Sequence, residues 1–243
     1  TMKPYHYLAP YYDYMLKHVD YATWYHYLRM IMCRYINNPR TVLELGCGTG
    51  KFGPKFSMDD YEIYGMDKSL EMLKIAKARA YKHYHVFCGD ITQFALSKTI
   101  DFIFSVHDTF NYILDYDDFV SALHCVHSCM NNDSIFLFDL TTEYNIKKNF
   151  HNKLLTFQVK GTDIQWYNEY DKHSKILYSK LTFTRHTNTL VEEHLQRLYT
   201  IDEVLPLIEQ CGLTVVDVVG DYTLKPPHEE TIMVNFITKR AQR

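Results

Sequence analysis

Gly46, Gly48 and Gly50 crowd into a turn directly after an apolar run in TVLELGCGTGKFG, residues 41–53, with Glu44 as the one acid inside that run. Glycines at such a place remove every Cβ just where the chain leaves a strand. Backbone N–H groups then lie open to the polar groups of a ligand. The chemistry of this stretch is the cradling of a small molecule. Two glycine patterns overlap in it. Gly48-Thr49-Gly50-Lys51-Phe52-Gly53 fits G-x-G-x-x-G, the pattern that holds a dinucleotide pyrophosphate. The first glycine of that pattern belongs in the tight turn after the strand, and Gly46 already fills that turn. The competing frame is Glu44-Leu45-Gly46-Cys47-Gly48-Thr49-Gly50. A P-loop is excluded, since G-x-x-x-x-G-K-[S/T] occurs nowhere in the chain.

Three further stretches carry chemistry. Asp67 closes a second apolar run; an acid there either accepts hydrogen bonds from both hydroxyls of a ribose or serves as a plain helix cap. Cys88-Gly89-Asp90-Ile91 follows a third run as a Gly-Asp turn. Ser105-Val106-His107-Asp108-Thr109-Phe110-Asn111-Tyr112 leaves a fourth run as a string of polar residues that packing alone explains poorly. His107 titrates near neutrality and is a candidate base, or else a solvated loop histidine. His124, Cys125, His127 and Cys129 suggest a metal at first sight. On a helix, however, 124 and 127 share one face and 125 and 129 another, so no metal site is expected.

These groups need elements to position them. Aromatics at helical spacing over residues 1–36 predict two helices broken near 18–21. Strands are predicted over 41–45, 61–66, 86–88, 102–106 and 135–138. Helices are predicted from about Gly50, over 70–80 (Ser69 as N-cap) and over 117–130, the last stopped by Asn131-Asn132-Asp133. Strands alternating with helices imply a parallel sheet covered on both faces. After Leu140 the pattern becomes polar–apolar alternation, over 156–159, 164–170, 176–186 and 190–198, which predicts an antiparallel meander. Helical spacing returns over 201–211, capped by Thr200 and stopped by Gly212. Two last strands, 214–219 and 232–238, follow as an antiparallel pair. The fold class is therefore α/β, a mostly parallel seven-stranded sheet with helices on both faces plus an antiparallel β insertion after strand five. The divisions are an N-terminal helical lid (1–36), an α/β domain (37–141 and 199–243) and the insertion (142–198).

With 243 residues and a formal net charge of −3, the chain has room for a sizeable core and no broad basic surface for nucleic acid. Its six cysteines form no C-x-x-C pair, which fits reduced thiols and a cytoplasmic location. No apolar run approaches membrane-spanning length. The 21 tyrosines and 13 histidines read as a compositional habit.

ELGCGTG, YGMDKSLEML, VFCGDIT and DTFNYI, in that order and spacing, resemble the class I S-adenosylmethionine (SAM) methyltransferases over nearly the whole chain. The opening YHYLAPYYDYML, the DTFNYI loop and EEHLQRLYTIDEV are similar to a bacterial branch with a β insertion, which includes small-molecule methyltransferases and amino-sugar N,N-dimethyltransferases. The resemblance implies a Rossmann-like sheet and SAM as cofactor, with S-adenosylhomocysteine as product. It implies that Gly46, Gly48 and Gly50 hold the methionine moiety, with Glu44 fixing the turn and Cys47 inside it. Asp67 would take the ribose, Lys68 or Met72 would flank the adenine, and Asp90 and Ile91 would complete its pocket. Ser105 and Val106, at the end of strand four, complete the cofactor set. Tyr7, Tyr12 and Trp24 match an aromatic lid over the carboxylate end of SAM. Asn111, His194 and Arg197 would face the acceptor together with Tyr112; His107 and Tyr112 are the candidates for a base. Lys51 stands where small or apolar residues are commoner, and its long chain is expected to turn outward. The expected reaction is in-line transfer to an N or O atom of a small molecule, by a monomer or homodimer. The rival expectations are a tRNA-modifying methyltransferase, a catalytically silent SAM-fold partner and, last, a dehydrogenase.

Overall fold

The computed structural model describes residues 4–242. Its centre is the first apolar run, β1 (Thr41–Leu45), which lies between β2 (Glu62–Asp67) and β4 (Ile100–Ser105) and runs parallel to both. Adding β3 (Tyr84–Cys88), β5 (Met130–Thr141), β10 (Leu213–Gly220) and β11 (Met233–Arg240) gives a seven-stranded sheet of order β10-β11-β5-β4-β1-β2-β3. β11 is antiparallel to both its neighbours, and the other pairings are parallel.

β1 is buried on both faces, as its unbroken apolar run requires. Leu43 and Leu45 point into a core built with α5 (Tyr116–Ser128) and α7 (Ile201–Gln210). Val42 points the other way, into a core with α2 (Tyr21–Tyr35) and α3 (Gly53–Met58). The caps are those the sequence indicates. Ser69 accepts the Met72 N–H at the start of α4 (Leu70–Ala78), and Thr200 and Glu203 form a reciprocal capping box on α7.

The insertion holds a four-stranded antiparallel sheet in sequential order: β6 (Lys153–Val159), β7 (Thr162–Asp171), β8 (Ile176–Arg185) and β9 (Asn188–Arg197). The first helix, α1 (Ala9–Met15), packs on this sheet: Leu8 and Met15 share a small core with Val159, Ile164, Leu181 and Phe183. The two N-terminal helices therefore belong to different cores, α1 to the insertion's and α2 to the main sheet's.

Three local expectations need correction. The helix after the glycine turn begins at Gly53 rather than Gly50, because the turn carries on through Thr49–Phe52 before Pro54 sets the first helical turn. Asn131–Asp133 do not stop α5, which ends at Ser128. They loop out within β5, where Ile100 pairs with Met130 and Phe102 with Ile135, and the Asn131 carboxamide accepts the Asp133 N–H at 2.9 Å. A short helix, α6 (Glu143–Asn149), opens the insertion where none was foreseen; Thr142 caps it by accepting the Asn145 N–H. Among the described residues no helix is long and apolar enough to cross a membrane.

Candidate active site

The carboxyl ends of β1, β2, β3 and β4 open into one cavity of about 910 Å³, large for a small-molecule site, where roughly 300–1,000 Å³ is usual. At its floor lies the glycine turn. The N–H groups of Gly46 and Cys47 both donate to the Met66 carbonyl, 2.8 and 2.9 Å, which fastens the turn to β2. Gly46 has φ +74°, and a Cβ there would sit 2.5 Å from the Thr109 side chain. Gly48 has φ +52°, yet a Cβ there would meet no protein atom within 4 Å, so its α-carbon faces the open cradle. Gly50 faces Ala76 and Tyr84 instead and does not line the cavity.

Three acids stand around the turn. Asp67 accepts the Gly48 N–H and the Ser69 N–H, each at 2.8 Å; burial nonetheless raises its carboxyl above the ordinary value. Glu44 does not fix the turn as expected: it makes no hydrogen bond to it, and its Oε2 is buried without a partner. Burial first, then the nearby Asp67 charge, push the Glu44 carboxyl well up. Asp90 accepts from Thr92 and, at 2.6 Å, from the Lys68 ammonium; burial raises it, but these bonds outweigh that and hold it below the ordinary value. Cys47, Met72, Ile91 and Val106 complete this end of the wall.

The other end is aromatic. A strap of chain, residues 4–8, and α1 bring Tyr5 and Tyr12 to its wall, with the Tyr5 hydroxyl donating to Tyr112 Oη at 2.6 Å and the Tyr12 hydroxyl beside His107. α1 is held to the turn by Asp13, which accepts from Thr49 Oγ1 at 2.8 Å and pairs with Arg79 and with Lys51 at 3.3 Å. Lys51 thus does not turn outward; it closes the cavity from the turn side.

His107 and Asp108 are consecutive left-handed residues, φ +66° and +54°, a conformation that costs non-glycine residues free energy. The Asp139 carboxylate holds them, accepting the His107 N–H at 2.7 Å, the Asp108 N–H at 2.8 Å and the Tyr222 hydroxyl. Burial pushes Asp139 up to about 7 and Asp108 to about 6. Burial also pushes His107 down to about 4, where it is a weak base; its Nδ1 lies 3.1 Å from the Tyr12 hydroxyl.

Several residues expected at the site sit behind it or away from it. Tyr7 is bound through its N–H to Glu192 at 2.6 Å, and its ring packs near Phe183. Trp24 stacks on Tyr222 at 4.1 Å and presents its edge to His107. Ser105 Oγ donates to the Leu45 carbonyl at 2.9 Å, tying β4 to β1. Asn111 is fully buried, donating to the Arg197 carbonyl at 2.8 Å and accepting the Thr141 N–H at 3.0 Å. Arg197 lies over the Tyr116 ring at 4.4 Å and donates to the Leu114 carbonyl. His194 is buried behind Tyr112, 2.9 Å from its hydroxyl. Sequence reasoning missed Tyr5, Tyr21 and Thr109 on the wall, and Asp139, Glu192 and Tyr222 behind it. The aspartate hidden in the apolar run IFLFDL was the one available signal for Asp139.

Comparison with known proteins agrees with this geometry. A methyltransferase-domain family profile matches residues 42–133. A putative methyltransferase of Geobacillus sp. is 24% identical over 242 residues, covering 96% of this chain and 98% of its own. A SAM-dependent methyltransferase structure from Clostridium acetobutylicum superposes with a TM-score of 0.84 at 21% identity, covering 99% of this chain and 100% of that one. The sugar N-methyltransferase KedS8 from Streptoalloteichus gives 0.77 at 14% identity, covering 95% and 93%. The fold is Rossmann-like, as in those structures. Residues 42–133 are a methyltransferase domain, and the chain is an enzyme with SAM as its cofactor. The residues present suit that cofactor: Gly48 leaves its cradle open, and the unpartnered Glu44 oxygen offers an acceptor to an ammonium group.

Proposed function

We propose that this enzyme methylates an N or O atom of a small-molecule acceptor held at the aromatic end of the cavity. The observation that carries the reading is continuity: one cavity joins the glycine turn to the tyrosine wall. The sugar N-methyltransferase among the structural neighbours is consistent with such an acceptor.

In this reading Gly46, Gly48 and Glu44 hold the amino-acid end of the cofactor. Asp67 holds its ribose, and Met72, Asp90 and Ile91 border its adenine. Bound SAM supplies a methyl carbon already activated by a positive sulfur, so the chain's own task is orientation, worth roughly 7–11 kcal/mol in well-oriented systems. Tyr5, Tyr12 and Tyr112 present rings and hydroxyls to the acceptor and exclude water. Tyr112 is the better placed of the two expected bases, because its hydroxyl has an onward proton acceptor in reach, His194 Nδ1 at 2.9 Å. The strap and α1 act as lid, 37–141 with 199–243, on which α2 packs, as cofactor domain, and 142–198 as cap. We place the enzyme in the cytoplasm, in keeping with its six free cysteines.

Calorimetric titration with S-adenosylhomocysteine, followed by a methyl-transfer screen of small amines and alcohols against tRNA, tests the reading. Transfer to a small acceptor supports it; transfer to tRNA alone overturns it.

A further inference from the structure

β9 is built inside out. Its inward positions are Glu192, His194 and Gln196, which are 1%, 3% and 7% exposed, whereas Val191 and Leu195 on the outer face are 41% and 42% exposed. A strand facing a core ordinarily places its apolar residues inward and its polar ones in water. Burying three polar side chains instead is costly unless every one is hydrogen-bonded, and here each one is. Gln196 donates to Asp108 at 2.8 Å. The other two form a chain: Glu192 Oε1 to His194 Nε2 at 2.6 Å, His194 Nδ1 to Tyr112 Oη at 2.9 Å, and Tyr112 Oη to Tyr5 Oη at 2.6 Å. Tyr5 and Tyr112 both line the cavity.

The direction of this chain follows from what surrounds Glu192. Its Oε1 also accepts the Tyr5 N–H at 2.7 Å, and its Oε2 accepts the N–H groups of Tyr7 and Leu8 at 2.6 and 3.3 Å. These backbone partners are donors only, so they favour the carboxylate form. Burial raises the Glu192 carboxyl, but the bonds from His194 and Tyr7 outweigh it and hold it below the ordinary value. Against a carboxylate, His194 Nε2 is a donor; in a neutral ring Nδ1 is then the acceptor. Tyr112 then donates to Nδ1, and Tyr5 donates to Tyr112.

We propose that Glu192, His194, Tyr112 and Tyr5 form a proton relay that drains the methyl acceptor, making it an enzyme for protonated amines or hydroxyls rather than for acceptors that carry no proton. This deepens the small-molecule reading above and rests on it. The proton leaving the acceptor N or O passes to Tyr5 Oη. The Tyr5 proton passes to Tyr112 Oη, and the Tyr112 proton to His194 Nδ1. One proton moves in total, and it ends on an imidazolium facing the Glu192 carboxylate. Burial raises both phenols far above neutrality, so neither stands as a phenolate, and each accepts a proton only while passing its own along. The titratable groups around His194 are Glu192 on β9, Tyr112 on the turn after β4 and Tyr5 on the strap; Asp108 and Asp67 bear in turn on Tyr112. Tyr5 and Tyr112 touch the acceptor, whereas His194 and Glu192 are positioning residues acting through them.

The test is nitrogen NMR of the full chain labelled with ¹⁵N-histidine, titrated from about pH 6 to 9, with the His194 signals assigned by their loss in His194→Asn. The relay predicts a neutral ring protonated on Nε2, with an Nδ1 signal that shifts in Tyr112→Phe. In Glu192→Gln the preference for the Nε2 proton is lost, and both tautomers appear. A proton on Nδ1 in the wild-type chain, or an imidazolium throughout the titration, overturns the relay. An Nδ1 signal unmoved in Tyr112→Phe does so too, and this variant serves should Glu192→Gln not fold. Calorimetry with S-adenosylhomocysteine on the wild-type sample separates the two failures. Binding with the wrong tautomer sinks the relay alone, and the right tautomer without binding sinks the cofactor assignments alone.

Discussion

Tyr112 Oη lies 2.9 Å from His194 Nδ1, joining residues 82 positions apart: one from the turn after β4 of the cofactor domain, the other from the last strand of the insertion. Through this contact the insertion backs the cavity wall rather than standing as an appendage. The strap is drawn into the same junction, since Glu192 takes the N–H groups of Tyr5, Tyr7 and Leu8.

Asp67 carries the ribose in this account. Asp67→Ala is expected to weaken S-adenosylhomocysteine binding by about 10- to 100-fold, the loss of one or two hydrogen bonds to a charged group at roughly 1.4–2.8 kcal/mol. Calorimetry reads the change; an unaltered affinity would remove Asp67 from the site.

Gly46 and Gly48 separate packing from binding. Gly46→Ala drives a methyl to 2.5 Å from Thr109 and should lower the melting temperature sharply. Gly48→Ala meets no protein atom, so its cost is the left-handed backbone alone, about 1–2 kcal/mol, while its methyl fills the cradle. The expected result is a folded Gly48→Ala protein with little cofactor affinity. Equal melting temperatures and equal affinities in the two variants would contradict the assignment.

Stability should depend on pH through Asp139, Asp108 and His107, with opposed signs. The two acids are raised from 3.8 to about 7 and about 6, so their contribution is full below about pH 4 and is lost as pH rises through those values. His107 is lowered from 6.5 to about 4, so its contribution is full above 6.5 and is lost as pH falls toward 4. Above pH 6.5 the acids outweigh His107, and urea unfolding should show a net fall of about 0.5 kcal/mol between pH 6.5 and 8. Asp139→Asn should flatten that slope. A slope of the opposite sign would refute the buried acid.

Asn111 and Arg197 hold the frame. Asn111→Ala leaves the Arg197 carbonyl and the Thr141 N–H without their partner in a fully buried place and should cost about 2–3 kcal/mol of stability. Arg197→Ala should cost about 1 kcal/mol through its lost aromatic contacts. Denaturant midpoints check both, and S-adenosylhomocysteine affinity should stay within twofold in Arg197→Ala.

Much of the cofactor end was legible because it depends on local chemistry. A glycine turn after an apolar strand, an acid closing β2 and a Gly-Asp turn after β3 each announce themselves within a few residues. The acceptor end was not, because it is assembled from distant segments. Alternation along 190–198 foretold a strand but not which face turns inward, so His194 was named while its carboxylate partner Glu192 was missed. The resemblance implies that Asn111 and Arg197 face the acceptor; only tertiary contacts show that their hydrogen bonds are spent inside the protein. Asp139 lay concealed in an apolar run, and the left-handed pair it supports has no glycine to betray it.

The central claim is that one cavity holds the cofactor at the glycine turn and presents its reactive end to the tyrosine wall. A crystal structure with S-adenosylhomocysteine tests it most directly. The account predicts ribose hydroxyls on Asp67, the amino group beside Glu44 over Gly46 and Gly48, and the sulfur directed toward Tyr5 and Tyr112. Adenine lodged against the tyrosine wall, or a ligand bound outside this cavity, would contradict it.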